Sequence, residues 1–262
     1  MSISSLPHHD IHGSADDPLL VLGPSLGTST VLWEPHLDAL SSRFQVLRFD
    51  LPGHGGSPTG LLSDPTPGGT TVKDLAALVL ALADHYERQE FHYAGISLGG
   101  AVGAHLAVHH PERITSLAVI CSSAHFGPAA PWLERASLVR LEGIRPLLGT
   151  SPGRWFADSC TAQTPFGRTL LAALAETDPA GYAACCDSLA AYDLRAELKR
   201  ITAPTLVVGG SRDVATPLSH ATELAEGIPS ATLAVIDAAH LAVEQPQAVR
   251  EALLAHLGTV VH

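Results

Sequence analysis

The stretch FHYAGISLGG, residues 91–100, decides the fold class, because it runs from an apolar strand through Gly-x-Ser-x-Gly into a helix. Such a sharp turn strains the backbone of its serine, and side chains two positions before and two positions after it would clash. Gly95 and Gly99 occupy those positions. The pattern predicts Ser97 as a nucleophile, with the Leu98 N–H facing any oxyanion formed at the helix N-terminus. A chance glycine-rich turn is the alternative, which the flanking strand and helix disfavour.

Apolar runs bounded by Gly and Pro alternate with segments of helical periodicity on both sides of this turn. This alternation predicts the α/β class, with a mostly parallel central sheet and helices on both of its faces. The predicted strands are residues 18–23, 44–49, 91–95, 114–121, 204–209 and 232–236. The predicted helices are residues 71–88, 98–110 and about 245–256.

The alternation stops between residues 124 and 200. Short helical segments follow one another there, broken by prolines at positions 128, 131, 146, 152 and 165. The pattern predicts a helical cap, residues 124–200, inserted into a core that residues 1–123 and 201–262 form together.

Two residues that follow later strands are candidate partners of the serine. Asp213 comes after the apolar run at 205–208, and His240 follows the strand that ends at Ile236. Loops at the carboxyl ends of parallel strands meet at one edge of a sheet, so we predict a triad of Ser97, His240 and Asp213. Each partner has a plainer interpretation, since such an aspartate is often a helix cap and most of the 15 histidines are surface or structural residues. Asp237 is the second candidate for the acid.

The loop after the first predicted strand, Pro24-Ser25-Leu26-Gly27-Thr28, is the expected source of the second oxyanion donor. We favour the Leu26 backbone N–H for this role. Ser25 is a candidate substrate contact, or else a turn residue without a catalytic part.

Charge and hydropathy exclude several classes of protein. The net charge is −11 and only two of the 15 basic residues are lysines, which argues against nucleic acid or an anionic membrane as a partner. No apolar run approaches the ~18 residues that a membrane span needs. The N-terminus shows no basic region followed by an apolar core, so we expect no signal peptide and a cytoplasmic location.

The motifs resemble the 3-oxoadipate enol-lactonases, a family with the α/β-hydrolase fold, over nearly the whole chain. The more specific segments are the loop Ser25-Leu26-Gly27-Thr28 and the cap segment Gly181-Tyr182-Ala183-Ala184-Cys185-Cys186. Many of the other segments that carry the resemblance are shared with further members of the superfamily. They are Gly53-His54-Gly55, Gly95-Ile96-Ser97-Leu98-Gly99-Gly100, Pro111-Glu112-Arg113, Asp193-Leu194-Arg195, Ala203-Pro204-Thr205-Leu206-Val207, Ala239-His240-Leu241 and Glu244-Gln245-Pro246.

The resemblance implies that the substrate is a small anionic lactone, which Ser97 opens to release 3-oxoadipate, with no metal or organic cofactor. Such a substrate requires a local positive group, because the chain as a whole is acidic. We predict that Arg135 or Arg140, with Trp132 beside them, faces the substrate carboxylate. The alternative is that these arginines are solvated or paired with Glu134 and Glu142.

Three other functions remain open at this point. The same triad could cleave a carbon–carbon bond of an aromatic ring-cleavage product, or act as a general carboxylesterase. A binding protein without turnover is the third, which the complete set of triad residues disfavours. A homo-oligomer stays open, as does a functional link to a carboxymuconolactone decarboxylase, which we expect to be a separate chain because the sequence ends soon after its last predicted helix.

Overall fold

The computed structural model describes residues 6–258 and contains one seven-stranded sheet, ordered β1-β3-β2-β4-β5-β6-β7. Every neighbouring pair is parallel except β1 with β3. The strands are β1 His9–His12, β2 Leu19–Gly23, β3 Gln45–Phe49, β4 Phe91–Ile96, β5 Ile114–Ile120, β6 Thr205–Gly210 and β7 Ala231–Ile236. This confirms the predicted α/β class.

Eleven α-helices accompany the sheet within the described residues. They are α1 Leu37–Ser41, α2 Val72–His85, α3 Leu98–His109, α4 Ala129–Glu142, α5 Arg145–Leu148, α6 Ser151–Trp155, α7 Ser159–Gln163, α8 Pro165–Ala175, α9 Pro179–Ala190, α10 Leu218–Gly227 and α11 Pro246–Gly258. Short 3₁₀ turns occupy Thr30–His36, Thr59–Leu61, Pro111–Arg113 and Arg195–Arg200.

Helices lie on both faces of the sheet. A Cβ on Gly103 of α3 would meet the Tyr93 ring at 2.4 Å, and one on Gly209 of β6 would meet Leu218 of α10 at 2.7 Å. The register of β4, β5 and β6 puts these contacts on the same face. On the opposite face His256 of α11 lies near His92. The absence of a side chain at Gly103 and Gly209 therefore lets α3 and α10 approach the sheet closely.

The first strand was missed by the sequence analysis. The segment His9–His12 contains a single apolar residue, so it carries no strand periodicity of its own. It is held by its antiparallel pairing with β3 and by two hydrogen bonds from Arg48, whose Nε and Nη2 donate to Asp10 at 2.8 and 3.0 Å. Both contacts join segments far apart in sequence, which local patterns do not reveal.

Helices α4 to α9, which we call the cap helices, fill the interval between β5 and β6. The ends of this interval meet at a bridge between His125 and Asp193. Helix α4 packs on α9, and Arg140 Nη2 of α4 donates to Asp187 Oδ2 of α9 at 2.5 Å. The chain therefore leaves the sheet region before the cap helices and returns to it after them at neighbouring points. None of the helices in residues 6–258 has the length and hydropathy to cross a membrane.

Candidate active site

Ser97 lies between β4 and α3 with φ 56° and ψ −117°, a conformation that costs free energy for any side chain. The surrounding contacts hold it there, since Ser97 N–H donates to Ile120 O at 2.9 Å and Ser122 Oγ donates to Ser97 O at 2.6 Å. A Cβ on Gly95 would lie 2.3 Å from the Gly99 carbonyl, and one on Gly99 would lie 2.4 Å from Gly23 O. The expected steric role of both glycines is thus borne out.

The structure brings the three predicted residues together. Ser97 Oγ lies 2.8 Å from His240 Nε2, and His240 Nδ1 lies 2.9 Å from Asp213 Oδ2. All three are buried, at 5%, 6% and 5% exposure in that order. The arrangement lets His240 accept the serine proton while the carboxylate fixes the imidazole tautomer.

Asp213 is held as an acceptor by its own loop. The N–H groups of Ala215 and Thr216 donate to Oδ1 at 2.8 and 2.9 Å, and Thr216 Oγ1 donates to Oδ2 at 2.7 Å. Burial alone would raise the pKa of Asp213, but its hydrogen bonds to His240 and Thr216 and the charge of His240 lower it. The carboxylate stays ionised and oriented toward the imidazole.

Asp237, the second candidate for the acid, lies outside this arrangement. Its Oδ1 lies 3.0 Å from Arg212 Nε and accepts a hydrogen bond from Ser211 Oγ at 3.1 Å. Its side chain is 70% exposed. Asp237 precedes His240 by only three residues, yet its side chain is exposed and bound to Arg212, whereas His240 is buried beside Asp213.

A small cavity of about 30 Å³ opens onto Ser97 and His240. Ser25 and Leu26, both buried, line its wall on the side of β2. Leu98 is the first residue of α3, so its N–H has no partner four residues earlier in the helix. The two predicted oxyanion donors therefore come from the two segments that flank the serine. The remaining lining residues are Trp132, Arg135, Ser151, Arg154, Trp155, Tyr182, Leu189 and Ala215.

An outer chamber of about 160 Å³ adjoins this cavity, sharing Trp132, Arg135, Arg154 and Ala215 with it. Arg135 lies over the Trp132 ring, with Cζ 5.3 Å from the ring centroid. Burial, and then the positive charge of Arg135, lower the pKa of Arg154. Neither arginine forms a salt bridge with an acidic residue in the part of the chain that the structure describes. Two guanidinium groups that form no ion pair with a described acidic residue therefore line both cavities, with the charge of Asp213 acting on Arg154 from a longer distance.

No group of three or more His, Cys, Asp and Glu side chains within residues 6–258 is placed to hold a metal ion. The chemistry that the site can perform with its own residues is nucleophilic attack by Ser97, proton transfer through His240 and stabilisation of an oxyanion.

Comparison with known proteins identifies the family of the chain. Residues 18–141 match the family model of the alpha/beta hydrolase fold, and residues 181–260 match that of TAP-like proteins. The chain is 37% identical to 3-oxoadipate enol-lactonase 2 of Acinetobacter baylyi, over 92% of this chain and 89% of the relative. It belongs to the 3-oxoadipate enol-lactonase family. Members of this family are hydrolases that act on ester bonds, and the chain is one of them.

A solved enol-lactonase from Burkholderia xenovorans has the same fold, with a TM-score of 0.90, 33% identity and 96% of each chain covered. A putative carbamate hydrolase of Stutzerimonas stutzeri is 31% identical over 88% of both chains. Similarity in sequence thus extends to relatives named for another substrate.

Within this enol-lactonase family member, the structure distinguishes between the two arginines that were the alternative candidates for facing the substrate carboxylate. Arg135 lines the pocket, but Arg140 is bound to the buried Asp187 and donates to Pro65 O at 3.3 Å. Five residues turn a helix through about 140°, so one helix cannot direct both side chains to one cavity. The prediction for Arg140 is therefore replaced by its pairing with α9.

Arg154 was missed by the sequence analysis. It lies on α6, a single turn that contains Pro152 and Gly153. A helix this short shows no periodicity from which a facing direction could be read. Trp132 and Ser25, by contrast, lie in the cavity wall where they were expected.

Proposed function

We propose that this chain hydrolyses 3-oxoadipate enol-lactone to 3-oxoadipate, with Ser97 as nucleophile, His240 as acid and base, and Asp213 as the residue that orients His240. The observation that carries the proposal is the pair Arg135 and Arg154, which line the same cavity as the serine and the histidine. A general esterase for neutral acyl groups has no use for two guanidinium groups beside its nucleophile. An enzyme that binds a lactone with a carboxymethyl group does use them, because guanidinium groups bind a carboxylate.

The arginine pair favours an anionic ligand for a physical reason. Two like charges near each other in a partly buried wall repel, and the lowered pKa of Arg154 reflects both that repulsion and the loss of water. A carboxylate placed between them removes the repulsion and accepts charge-assisted hydrogen bonds from both groups. The pocket therefore selects an anion locally although the whole chain carries a net charge of −11.

In the first half of the reaction, Ser97 Oγ attacks the lactone carbonyl while His240 Nε2 takes its proton. The N–H groups of Leu26 and Leu98 stabilise the oxyanion of the tetrahedral intermediate. The ring C–O bond then breaks, and the leaving enolate oxygen receives the proton from His240 to give an enol, which tautomerises to the ketone. Because that enolate is a good leaving group, the protein contributes mainly orientation and charge stabilisation.

In the second half, His240 takes a proton from a water molecule that attacks the acyl ester of Ser97. Collapse of the second tetrahedral intermediate returns the proton to Ser97 Oγ and releases the free carboxylate. The inner cavity of about 30 Å³ holds little beyond the reacting carbonyl, so the carboxymethyl arm extends into the outer chamber beside the arginines.

The test is the ultraviolet absorbance of 3-oxoadipate enol-lactone, followed with wild type and with the Ser97→Ala, Arg154→Gln and Arg145→Gln variants. Ser97→Ala should lower kcat by roughly a thousand-fold or more. Arg154→Gln should raise KM by roughly thirty-fold, equivalent to about 2 kcal/mol of a charge-assisted hydrogen bond. Arg145 is exposed on α5 outside both chambers and is the matched control.

The outcomes test the identity of the nucleophile and the identity of the substrate independently. No turnover of the lactone by a protein whose Ser97 still reacts with a covalent serine probe would discard the lactonase assignment and keep the triad. Turnover of short neutral esters that is unaffected by Arg154→Gln would point to a general carboxylesterase, and release of product from a ring-cleavage diketone would point to a carbon–carbon hydrolase.

A further inference from the structure

The two edge strands of the sheet differ in how they are protected from pairing with another chain. Strand β1 carries charged and polar groups, with Asp10 bound to Arg48 and histidines at positions 9 and 12. Strand β7, at the other edge, reads Ala-Thr-Leu-Ala-Val-Ile from Ala231 to Ile236 and contains no charge, proline or glycine. Exposed edge strands normally carry such protective residues, because their free backbone groups can pair with other strands.

The free backbone groups of β7 are identified by its pairing with β6. Ile236 O accepts from Ser211 N–H at 2.8 Å, and Ser230 O accepts from Thr205 N–H at 3.4 Å. Even-numbered residues thus direct their backbone groups toward β6. Since the direction alternates along a strand, Leu233 and Val235 direct both N–H and C=O away from the sheet.

The side chains of the same two residues are exposed. Leu233 is 41% exposed and Val235 is 51% exposed, and they account for two of the five exposed large apolar side chains in the described residues. In register they lie opposite Val207 and Gly209, on the sheet face that α10 covers. Leu233 and Val235 therefore expose apolar side chains on the α10 face of the edge strand, and their own backbone groups are unpaired among the described residues.

We propose that β7 is a homodimer interface, in which the β7 strands of two copies pair antiparallel about a two-fold axis at Ala234. In this register Leu233 of each copy lies opposite Val235 of the other, and the two residues exchange their outward N–H and C=O groups. Their side chains meet on the α10 face and bury one another. Ala231 lies opposite Asp237, so no two like charges oppose each other along the paired strands, although each chain carries a net charge of −11.

A second copy fits this edge because the two exposed apolar side chains, Leu233 and Val235, are spaced evenly about Ala234. Reversal about that residue therefore brings each apolar side chain of one copy against an apolar side chain of the other. The paired strands would continue one twisted sheet across both chains. No residue of β7 lines the catalytic cavity or the outer chamber, so pairing at this edge leaves both open.

The experiment is sedimentation velocity and light scattering of the full chain over a wide concentration range, with wild type, Val235→Lys and Leu141→Lys. Leu141 lies on α4 and is the most exposed of the five apolar side chains at 83%, so it controls for loss of a surface apolar group. We expect wild type and Leu141→Lys at twice the chain mass of 27.3 kDa and Val235→Lys at the mass of one chain.

Hydrogen exchange of the Leu233 amide provides a second measurement. It should be slow in the dimer and fast in Val235→Lys, while melting temperature and esterase turnover of the variant stay at wild-type values and show that it folds. A wild type that remains a monomer at every concentration overturns the proposal. A dimer that Val235→Lys leaves intact, with fast exchange at Leu233, overturns it as well, since another surface then holds the copies together.

Discussion

Replacement of the buried His54 should make the free energy of unfolding of this protein depend less on pH below pH 6.5. His54 is fully buried and stacks on Tyr182, with Nδ1 3.0 Å from Pro52 O. Its Nε2 has no hydrogen-bond partner among residues 6–258. Burial lowers the pKa of His54 from 6.5 to about 4, against weaker opposing contributions from the Pro52 carbonyl, Asp50 and Asp178. Its imidazole therefore stays neutral in the folded chain over a range in which the unfolded chain binds a proton.

The direction of the pH effect follows from the pKa of His54, which is lower in the folded chain than in the unfolded chain. Above pH 6.5 neither state is protonated at His54 and the full stability is present. As the pH falls from 6.5 toward 4, only the unfolded state gains the proton, so the free energy of unfolding decreases. The slope from this residue is about 1.4 kcal/mol per pH unit, which amounts to about 2 kcal/mol at pH 5.

The perturbation is His54→Phe, which keeps the stacking ring and removes the ionisable group. Urea unfolding of wild type and variant at several pH values between 6.5 and 4.5 gives the two slopes. Contributions of the carboxylates are common to both proteins and cancel in the difference. The matched control, His85→Phe, replaces an exposed histidine of α2. Equal slopes for wild type and His54→Phe would refute the argument, whatever the absolute stability of the variant.

Three further changes test the site and its support. Gly99→Ala places a Cβ 2.4 Å from Gly23 O, so esterase activity and melting temperature should both fall, and a fully active variant would show that the turn has room. Asp213→Asn should lower kcat by roughly 10⁴-fold with little change in KM, measured by steady-state kinetics, because the imidazole loses its oriented tautomer. Arg140→Gln leaves the buried Asp187 carboxylate without its ion pair, so the free energy of unfolding in urea should fall by about 3 kcal/mol; a change in KM instead would return Arg140 to the pocket.

The buried histidines with lowered pKa values show that local sequence patterns do not predict which histidines are buried. His36 ends the short 3₁₀ turn Thr30–His36, and His54 lies in a loop rich in glycine and proline. Neither local sequence distinguishes the buried histidine from a surface one. Packing of the cap helices over His54, and of α11 near His36, lowers both pKa values to about 4. Only contacts between distant segments decide which of the 15 histidines are removed from water.

The sequence by itself determined the features that local chemistry dictates. Apolar runs between Gly and Pro specify buried parallel strands. Gly-x-Ser-x-Gly between a strand and a helix specifies a sharp turn with a strained serine, because only glycine leaves room at the positions two before and two after that serine. Chain order then placed Asp213 and His240 on loops at the same edge of the sheet. These inferences hold because each depends on neighbours in sequence or on the direction of a strand.

Only the tertiary structure decided which side chains face the substrate pocket. Arg135 and Arg140 are equivalent as residue types, yet the turn of α4 directs one into the cavity and the other to Asp187. Arg154 reaches the same cavity from a helix of a single turn that sequence periodicity cannot describe. A pocket wall is built from segments that meet only after folding, so the direction of each side chain depends on how the cap helices pack and not on the residues beside it.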